Sequence, residues 1–200
     1  MPTWAFLVIH LLDSVQEVFF NDKKDLIPKI EETEAKIDQL HKAVKAYAED
    51  IMQAGISDDA ARVLTLYVAS SGNIERIGDY GKKLLEYYAY RQNRPKDFSQ
   101  QAMTELSGMY AEAHHAIVTA LDGFINDDPD KAREVAPIAG KLRGLEVELR
   151  NRHIQRLDKQ ECDSETGLVY VDILGIIEHI GYHSNNVAKA TISTCAEAKA

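Results

Sequence analysis

Cysteine is scarce: Cys162 and Cys195 are the only two in 200 residues. They are too few and too far apart for a disulfide framework or a thiolate zinc site, and they fit two reduced thiols of a cytosolic protein. Five prolines and eleven glycines leave long stretches without a breaker, which favours helices over turn-rich sheets. Positive charge is in deficit. With 23 Lys and Arg against 32 Asp and Glu the net charge is −9, and no basic stripe exists to neutralise the phosphates of a nucleic acid. The longest apolar run, Trp4 to Leu12 with His10 inside it, is about half of the ~20 residues that a membrane span needs. It lacks the basic flank and small-residue cleavage site of a signal peptide, so it reads as the start of a buried helix in a soluble, cytoplasmic chain, at or near the inner face of the membrane. A Gly-rich phosphate loop, a nucleophile elbow and a zinc-protease helix motif are all missing.

What is present is helical periodicity. A first helix is expected from Thr3 to Phe20, ended by Asn21-Asp22, and a second from Asp22 to Met52, closed by Gly55. Ser57 can cap a third that runs to Gln92 and stops at Asn93-Arg94-Pro95, and Ser99 a fourth. Asp128-Pro129 suits the cap and first position of a fifth, and Ser164 the cap of a sixth. Pro28 and Pro137 are expected to kink helices two and five. Ile30, Thr33, Ile37, Leu40, Val44, Tyr47 and Ile51 in the second helix alternate in steps of three and four. Leu64, Tyr67, Ser71, Ile74, Gly78, Gly81, Leu85 and Tyr88 in the third do the same. Both seams are of the narrow bundle type.

The chain also repeats itself. Phe19 to Leu40 (FFNDKKDLIPKIEETEAKIDQL) matches Phe124 to Leu145 (FINDDPDKAREVAPIAGKLRGL), an offset of 105 residues. Tyr67 to Gly78 (YVASSGNIERIG) matches Tyr170 to Gly181 (YVDILGIIEHIG), an offset of 103. Three helices therefore occur twice. The expected fold is all-α, two tandem three-helix bundles with six long helices, the first repeat over residues 1–94 and the second over 95–200.

Two acidic pairs stand out. Glu34 and Asp38 are four apart, and so are Glu75 and Asp79, which sets each pair on one helical face where like charges repel by ~0.2–0.5 kcal/mol. Glu34 and Asp38 follow the seam residues Thr33 and Ile37, as Glu75 and Asp79 follow Ile74 and Gly78. If helices two and three pack antiparallel, all four carboxylates can converge beside one seam, the arrangement by which bundles hold metal ions. Two solvated acidic faces are the plainer alternative.

Asn73-Ile74-Glu75-Arg76-Ile77-Gly78-Asp79 resembles the signature of the PhoU family, and Glu34-Ala35-Lys36-Ile37-Asp38-Gln39-Leu40 the partner motif one helix earlier. The stretch from Arg150 to Lys189 is most similar to the PhoU-like domain at the C-terminus of sodium-dependent phosphate cotransporters. The similarity covers nearly all 200 residues. It implies two three-helix bundles and a regulatory, non-enzymatic role in phosphate transport and phosphate homeostasis. It also implies contacts with a membrane phosphate transporter or a sensor kinase, a homodimer, and multinuclear iron or zinc ions held by Glu34, Asp38, Glu75 and Asp79. Tyr87, Tyr88 and Tyr90, clustered at one helix end, could serve the dimer or close the first bundle.

The second repeat departs from that pattern. Ala139 and Arg143 replace the counterparts of Glu34 and Asp38, and Tyr182 that of Asp79, leaving Glu178 and Asp172 as carboxylates. Arg143 is hostile to a cation and could pair with Glu178 instead. His179 and His183 are four apart and could join Glu178 in a substitute site, although His179 aligns with Arg76 and so with a different face. Glu112-xx-His115 resembles one ligand pair of a di-metal carboxylate bundle, with Asp38-xx-His41 a weak second. A ferritin-like di-metal oxidase or metal-storage bundle is therefore the rival reading, and a metal-free helical adaptor a third.

Overall fold

The computed structural model describes residues 3–93, 98–160, 162 and 164–197. Seven helices follow one another: α1 (Thr3–Asn21), α2 (Ile27–Gln53), α3 (Asp58–Gln92), α4 (Gln100–Ile125), α5 (Pro129–Arg133), α6 (Val135–Asp158) and α7 (Ser164–Glu197). No strand occurs among the described residues. Since α5 and α6 are one helix broken at a single residue, six long helices form the expected pair of three-helix bundles. The expected boundary at residues 94 and 95, with the Arg94-Pro95 stop, lies outside the described residues.

Three helix starts are set by side chains that the sequence offers. Ser57 Oγ accepts from Ala60 N–H at 3.3 Å and Ser99 Oγ from Ala102 N–H at 3.2 Å. Asp128 Oδ1 accepts from both Asp130 and Lys131 N–H at 3.0 Å, with Pro129 in the first turn. Each oxygen satisfies a donor that the helix leaves unpaired. Gly55 ends α2 with φ at +83°, a left-handed conformation that residues with a side chain rarely adopt. α7 already includes Ser164, so the expected cap is instead its first helical residue.

The second helix starts later than expected. Asp22 has φ of +58° and closes α1 in a left-handed turn, its N–H donating to Val18 C=O. A 3-10 turn at Lys24–Leu26 then leads into α2. Pro28 consequently sits in the first turn of α2, where its missing N–H and fixed φ suit the helix, and it starts the helix rather than kinking it. The same left-handed turn recurs at Asp127, φ +47°, ending α4. Pro137 behaves as expected. Lacking an N–H and crowding the carbonyl four residues back, it separates α6 from α5 at Glu134.

One continuous core runs through both bundles. α1 is buried along Ala5, Val8, Leu11, Leu12, Val15 and Val18 because α2, α3 and α4 all pack on it. That explains its apolar start, and no described helix is long and apolar enough to cross a membrane. α3 and α7 make the broadest contact between the bundles. They run antiparallel: Arg62 pairs with Glu197, Asn73 with His183, and Tyr87 with Asp172. α1 lies antiparallel on α4, where the buried Tyr110 hydroxyl donates to Leu12 C=O at 2.7 Å. Of the seam in α2, Ile30, Thr33 and Ile37 are buried, but Tyr47 is 69% exposed and Ala48 faces inward instead.

Candidate functional site

The acidic seam lies between α2 and α3, and its axis is a close helix contact. An added Cβ at Gly78 would stand 3.6 Å from Ile37 Cδ1. In the second repeat the same contact recurs between Gly181 and Leu142, where a Cβ would collide with the leucine methyl. The two repeats thus present one seam geometry with different residues beside it.

In the first repeat Glu34 and Asp38 flank the seam from α2, Glu75 and Asp79 from α3. Their side chains are 14%, 36%, 22% and 41% exposed, so two of the four are largely withdrawn from water. Burial, then the charges of Asp79 and Asp38, pushes the Glu75 carboxyl above its ordinary range against the opposing pull of Arg76 and His41. Burial, then the charges of Glu34 and Asp38, does the same to Asp79. Acids of α2 therefore act on acids of α3, which is the convergence that the antiparallel register requires.

The counter-charge comes from the protein itself. Lys82 Nζ donates to Glu34 Oε2 at 3.0 Å, and Lys42 Nζ to Asp38 Oδ2 at 2.6 Å. Arg76 lies 3.8 Å from Glu75 and 3.9 Å from Asp79. Among the described residues no three His, Cys, Asp or Glu side chains are grouped so as to hold one metal ion. The donor chemistry still suits a hard multivalent cation, because four carboxylates share one seam and repel each other. Such an ion would take over the counter-charge that Lys42, Lys82 and Arg76 now supply.

The second repeat solves the same problem differently. Arg143 Nε lies 3.8 Å from Glu178 Oε1, the ion pair expected across that seam. Asp172, the other remaining acid, points elsewhere and accepts from Tyr87 OH at 3.1 Å. His183 Nδ1 contacts Asn73 Oδ1 at 2.9 Å, and His179 stacks on Tyr80 with ring centroids 5.3 Å apart. Both histidines are engaged with α3. Burial, then His179 and Arg76, lowers the His183 pKa.

The rival ligand pairs do not assemble. Glu112 is ion-paired with Lys141 of α6 while His115 is exposed, and His41 bonds Ser71 Oγ at 2.9 Å. The three tyrosines also have partners inside the chain. Tyr88 is buried and bonds Asp22, which closes the first bundle, and Tyr87 and Tyr90 reach Asp172 and Glu165 of α7.

Sequence reasoning did not single out the most connected buried acid, Glu105 of α4. Its carboxylate receives Arg156 through two bonds at 3.1 and 2.9 Å, Tyr170 OH at 2.7 Å and Gln101 at 3.1 Å. Burial alone would raise its pKa, but those donors outweigh it and hold the carboxyl below the usual range. No short-range motif announces it, because Glu105 and Arg156 are 51 residues apart.

Comparison with known proteins agrees with this fold. A curated relative, the phosphate-specific transport system accessory protein PhoU homolog 1 of Thermotoga maritima, is 24% identical over 189 residues, spanning 94% of this chain and 80% of that protein. The crystal structure of PhoU from Pseudomonas aeruginosa superposes with a TM-score of 0.87 at 18% identity, over 96% of this chain and 91% of that one. The phosphate transport system regulatory protein PhoU from Streptococcus pneumoniae gives 0.80 at 15% identity, over 96% and 89%. The profile of the PhoU domain matches twice, over residues 3–88 and 106–191. With two copies of that domain spanning nearly its whole length, the chain belongs to the PhoU family.

Proposed function

We propose that this chain regulates phosphate transport and phosphate homeostasis through protein contacts rather than catalysis. It docks, as a homodimer at the cytoplasmic face, on a membrane phosphate transporter or a sensor kinase. The observation that carries this reading is the double match of the PhoU domain over nearly the whole chain, beside a relative named as an accessory protein of phosphate-specific transport. Deleting the gene tests it. Phosphate uptake or the response to phosphate starvation is expected to change, and a deletion strain normal in both defeats the proposal.

A second reading concerns the acidic seam. The first repeat holds iron or zinc ions through Glu34, Asp38, Glu75 and Asp79, while Arg143 fills that role in the second. The mutual repulsion of the four acids supports it, as does an internal cation at the matching place in the other repeat. Elemental analysis separates the halves. Asp38→Ala with Asp79→Ala is expected to strip bound metal, and Glu178→Ala with Asp172→Ala to leave it. The reverse pattern assigns the metal to the wrong half, and no metal in the parent protein removes the site altogether.

A further inference from the structure

The two repeats also differ at the end where their second and third helices turn back on each other. In the second repeat that end is sealed by the opening turns of α4. Phe98 packs edge-on against Tyr170 with centroids 6.0 Å apart, Glu105 accepts the Tyr170 hydroxyl, and Tyr170 is 1% exposed. Tyr67 is the counterpart of Tyr170 by the 103-residue offset, yet it is 37% exposed.

Among the described residues, α1 and α4 reach different points along their bundles. By the 105-residue offset that pairs Phe19 of α1 with Phe124 of α4, Thr3, where α1 is described from, falls level with Gly108. α4 has by then already run from Gln100. Trp4 packs edge-on against Phe124, which packs edge-on against Tyr67, so the first described turn of α1 lies one ring away from Tyr67. The end of α2 and the first turns of α3 project past it.

What they leave open is an apolar groove of about 410 Å³, floored by Ile51, Ile56, Val63, Leu64 and Tyr67. Tyr47 and Met52 stand exposed on the adjoining turns of α2. The rim is acidic. Asp59 and Glu197 line the groove, and Asp50 and Asp58 are exposed at the helix ends beside it. Of the nearby cations, Arg62 is already shared between Asp59 and Glu197, and Lys45 lies further along α2.

We propose that this groove is a docking site for one amphipathic helix of a partner protein, apolar on one face and basic on its flanks. The helix seats as the opening turns of α4 seat on the second repeat. Its chemistry follows from the two differences between the repeats. Ile51 occupies the place of Arg156 by the 105-residue offset, so the guest carries an apolar residue where α4 carries Glu105. The acid rim selects Lys and Arg on the flanks and disfavours a second copy of the same face. The inference rests on the reading of the chain as acting through protein contacts, and it names the surface.

The probe is a peptide with the α4 sequence from Phe98 to Ala111 carrying Glu105→Leu and lysine substitutions at the exposed positions (Gln101→Lys, Thr104→Lys, Gly108→Lys). A control peptide has glutamate at those three positions. Fluorescence anisotropy with the full chain is expected to show saturable binding of the basic peptide, at least about tenfold tighter than of the acidic one and weakened by salt. Leu64→Asp, checked for helicity by circular dichroism, is expected to abolish that binding. Asp58→Lys with Asp59→Lys, which touches only exposed positions, is expected to weaken it without threatening the fold. Equal binding of the two peptides, or binding indifferent to both variants, overturns the proposal. So does a wild-type dimer that Leu64→Asp turns into a monomer, since a second copy then fills the groove. In cells, Leu64→Asp is expected to reproduce the deletion phenotype. If the deletion alters phosphate uptake and Leu64→Asp restores it fully, the groove assignment falls while the regulatory function stands. A deletion without effect removes the function but leaves the peptide result to judge the groove.

Discussion

Arg156→Ile places in the second repeat the residue that the first repeat carries at the matching position, and its cost can be worked out from the contacts around Glu105. Removing one partner of a buried ion pair costs roughly 3–5 kcal/mol, because the remaining charge keeps its desolvation penalty without its compensation. Glu105, whose side chain is 8% exposed, would keep Tyr170 OH, Gln101 and, at 3.8 Å, Arg152. The loss should therefore fall near the lower end, about 3 kcal/mol, which for a chain of this size lowers Tm by roughly 6–12 °C. Replacing both members by apolar residues is different. Glu105→Leu with Arg156→Ile should stand within about 1 kcal/mol of wild type, since a buried ion pair seldom outperforms good apolar packing. Of the other donors to Glu105, Gln101 and Arg152 are exposed to water, and only the buried Tyr170 hydroxyl loses its acceptor without replacement.

The pH dependence has a definite sign. The Glu105 carboxyl lies below its ordinary range in the folded protein. Its contribution is therefore full above the unfolded carboxylate pKa and is lost as pH falls through the folded value. The difference between wild type and Arg156→Ile should accordingly shrink in acid. Urea titrations of wild type, both single variants and the double variant, followed by far-ultraviolet circular dichroism at neutral and acid pH, measure every term. A single-variant cost below about 0.5 kcal/mol, or a double variant that merely sums the singles, would falsify the claim that Glu105 and Arg156 act as a buried unit.

Two further outcomes follow from other contacts. The Asp79 carboxyl is raised by burial and by the acids of α2, so its contribution is present below the unfolded pKa and lost as pH rises through the folded one. Asp79→Asn should therefore stabilise the metal-free protein at neutral pH by about 0.2–0.5 kcal/mol and leave it unchanged in strong acid; a lower Tm at neutral pH refutes this. Tyr110→Phe removes the buried bond to Leu12 C=O, and because that carbonyl belongs to a helix its loss should cost only about 0.5–1.5 kcal/mol in a urea titration. A cost above that range would mean that the Leu12 carbonyl depends on Tyr110.

Much of the architecture is written locally, and for that reason is legible in the sequence. A helix is a periodic object, so the steps of three and four that end in buried Ile74, Gly78, Gly81 and Leu85 can be read without knowing what they pack against. Caps are equally local: Ser57, Ser99 and Asp128 reach N–H groups only two or three residues away. The internal repeat carries further, because it lets one half predict the other. The register of Asp38 and Glu75 predicts a pairing of Arg143 with Glu178, and the structure brings them to 3.8 Å.

The local signals misled where two of them competed for the same few residues. Asp22 was assigned to the second helix, but its left-handed φ ends the first, and Pro28 then finds itself in an opening turn rather than a helix interior. Tyr47 holds the correct phase for the seam yet is exposed, and Ala48 turns inward in its place.

By itself the sequence determined six long helices, their caps, the twofold repeat and the acidic register of the first seam, all of which depend on residues within a few turns of one another. Tertiary structure alone decided which charges meet: Lys82 on Glu34 across 48 residues, Arg156 on Glu105 across 51, Tyr87 on Asp172 across 85. Those contacts depend on how far one helix slides along another and which faces the two bundles turn together. That is fixed only when the whole core closes around α1, α3 and α7, and no window of the sequence contains it.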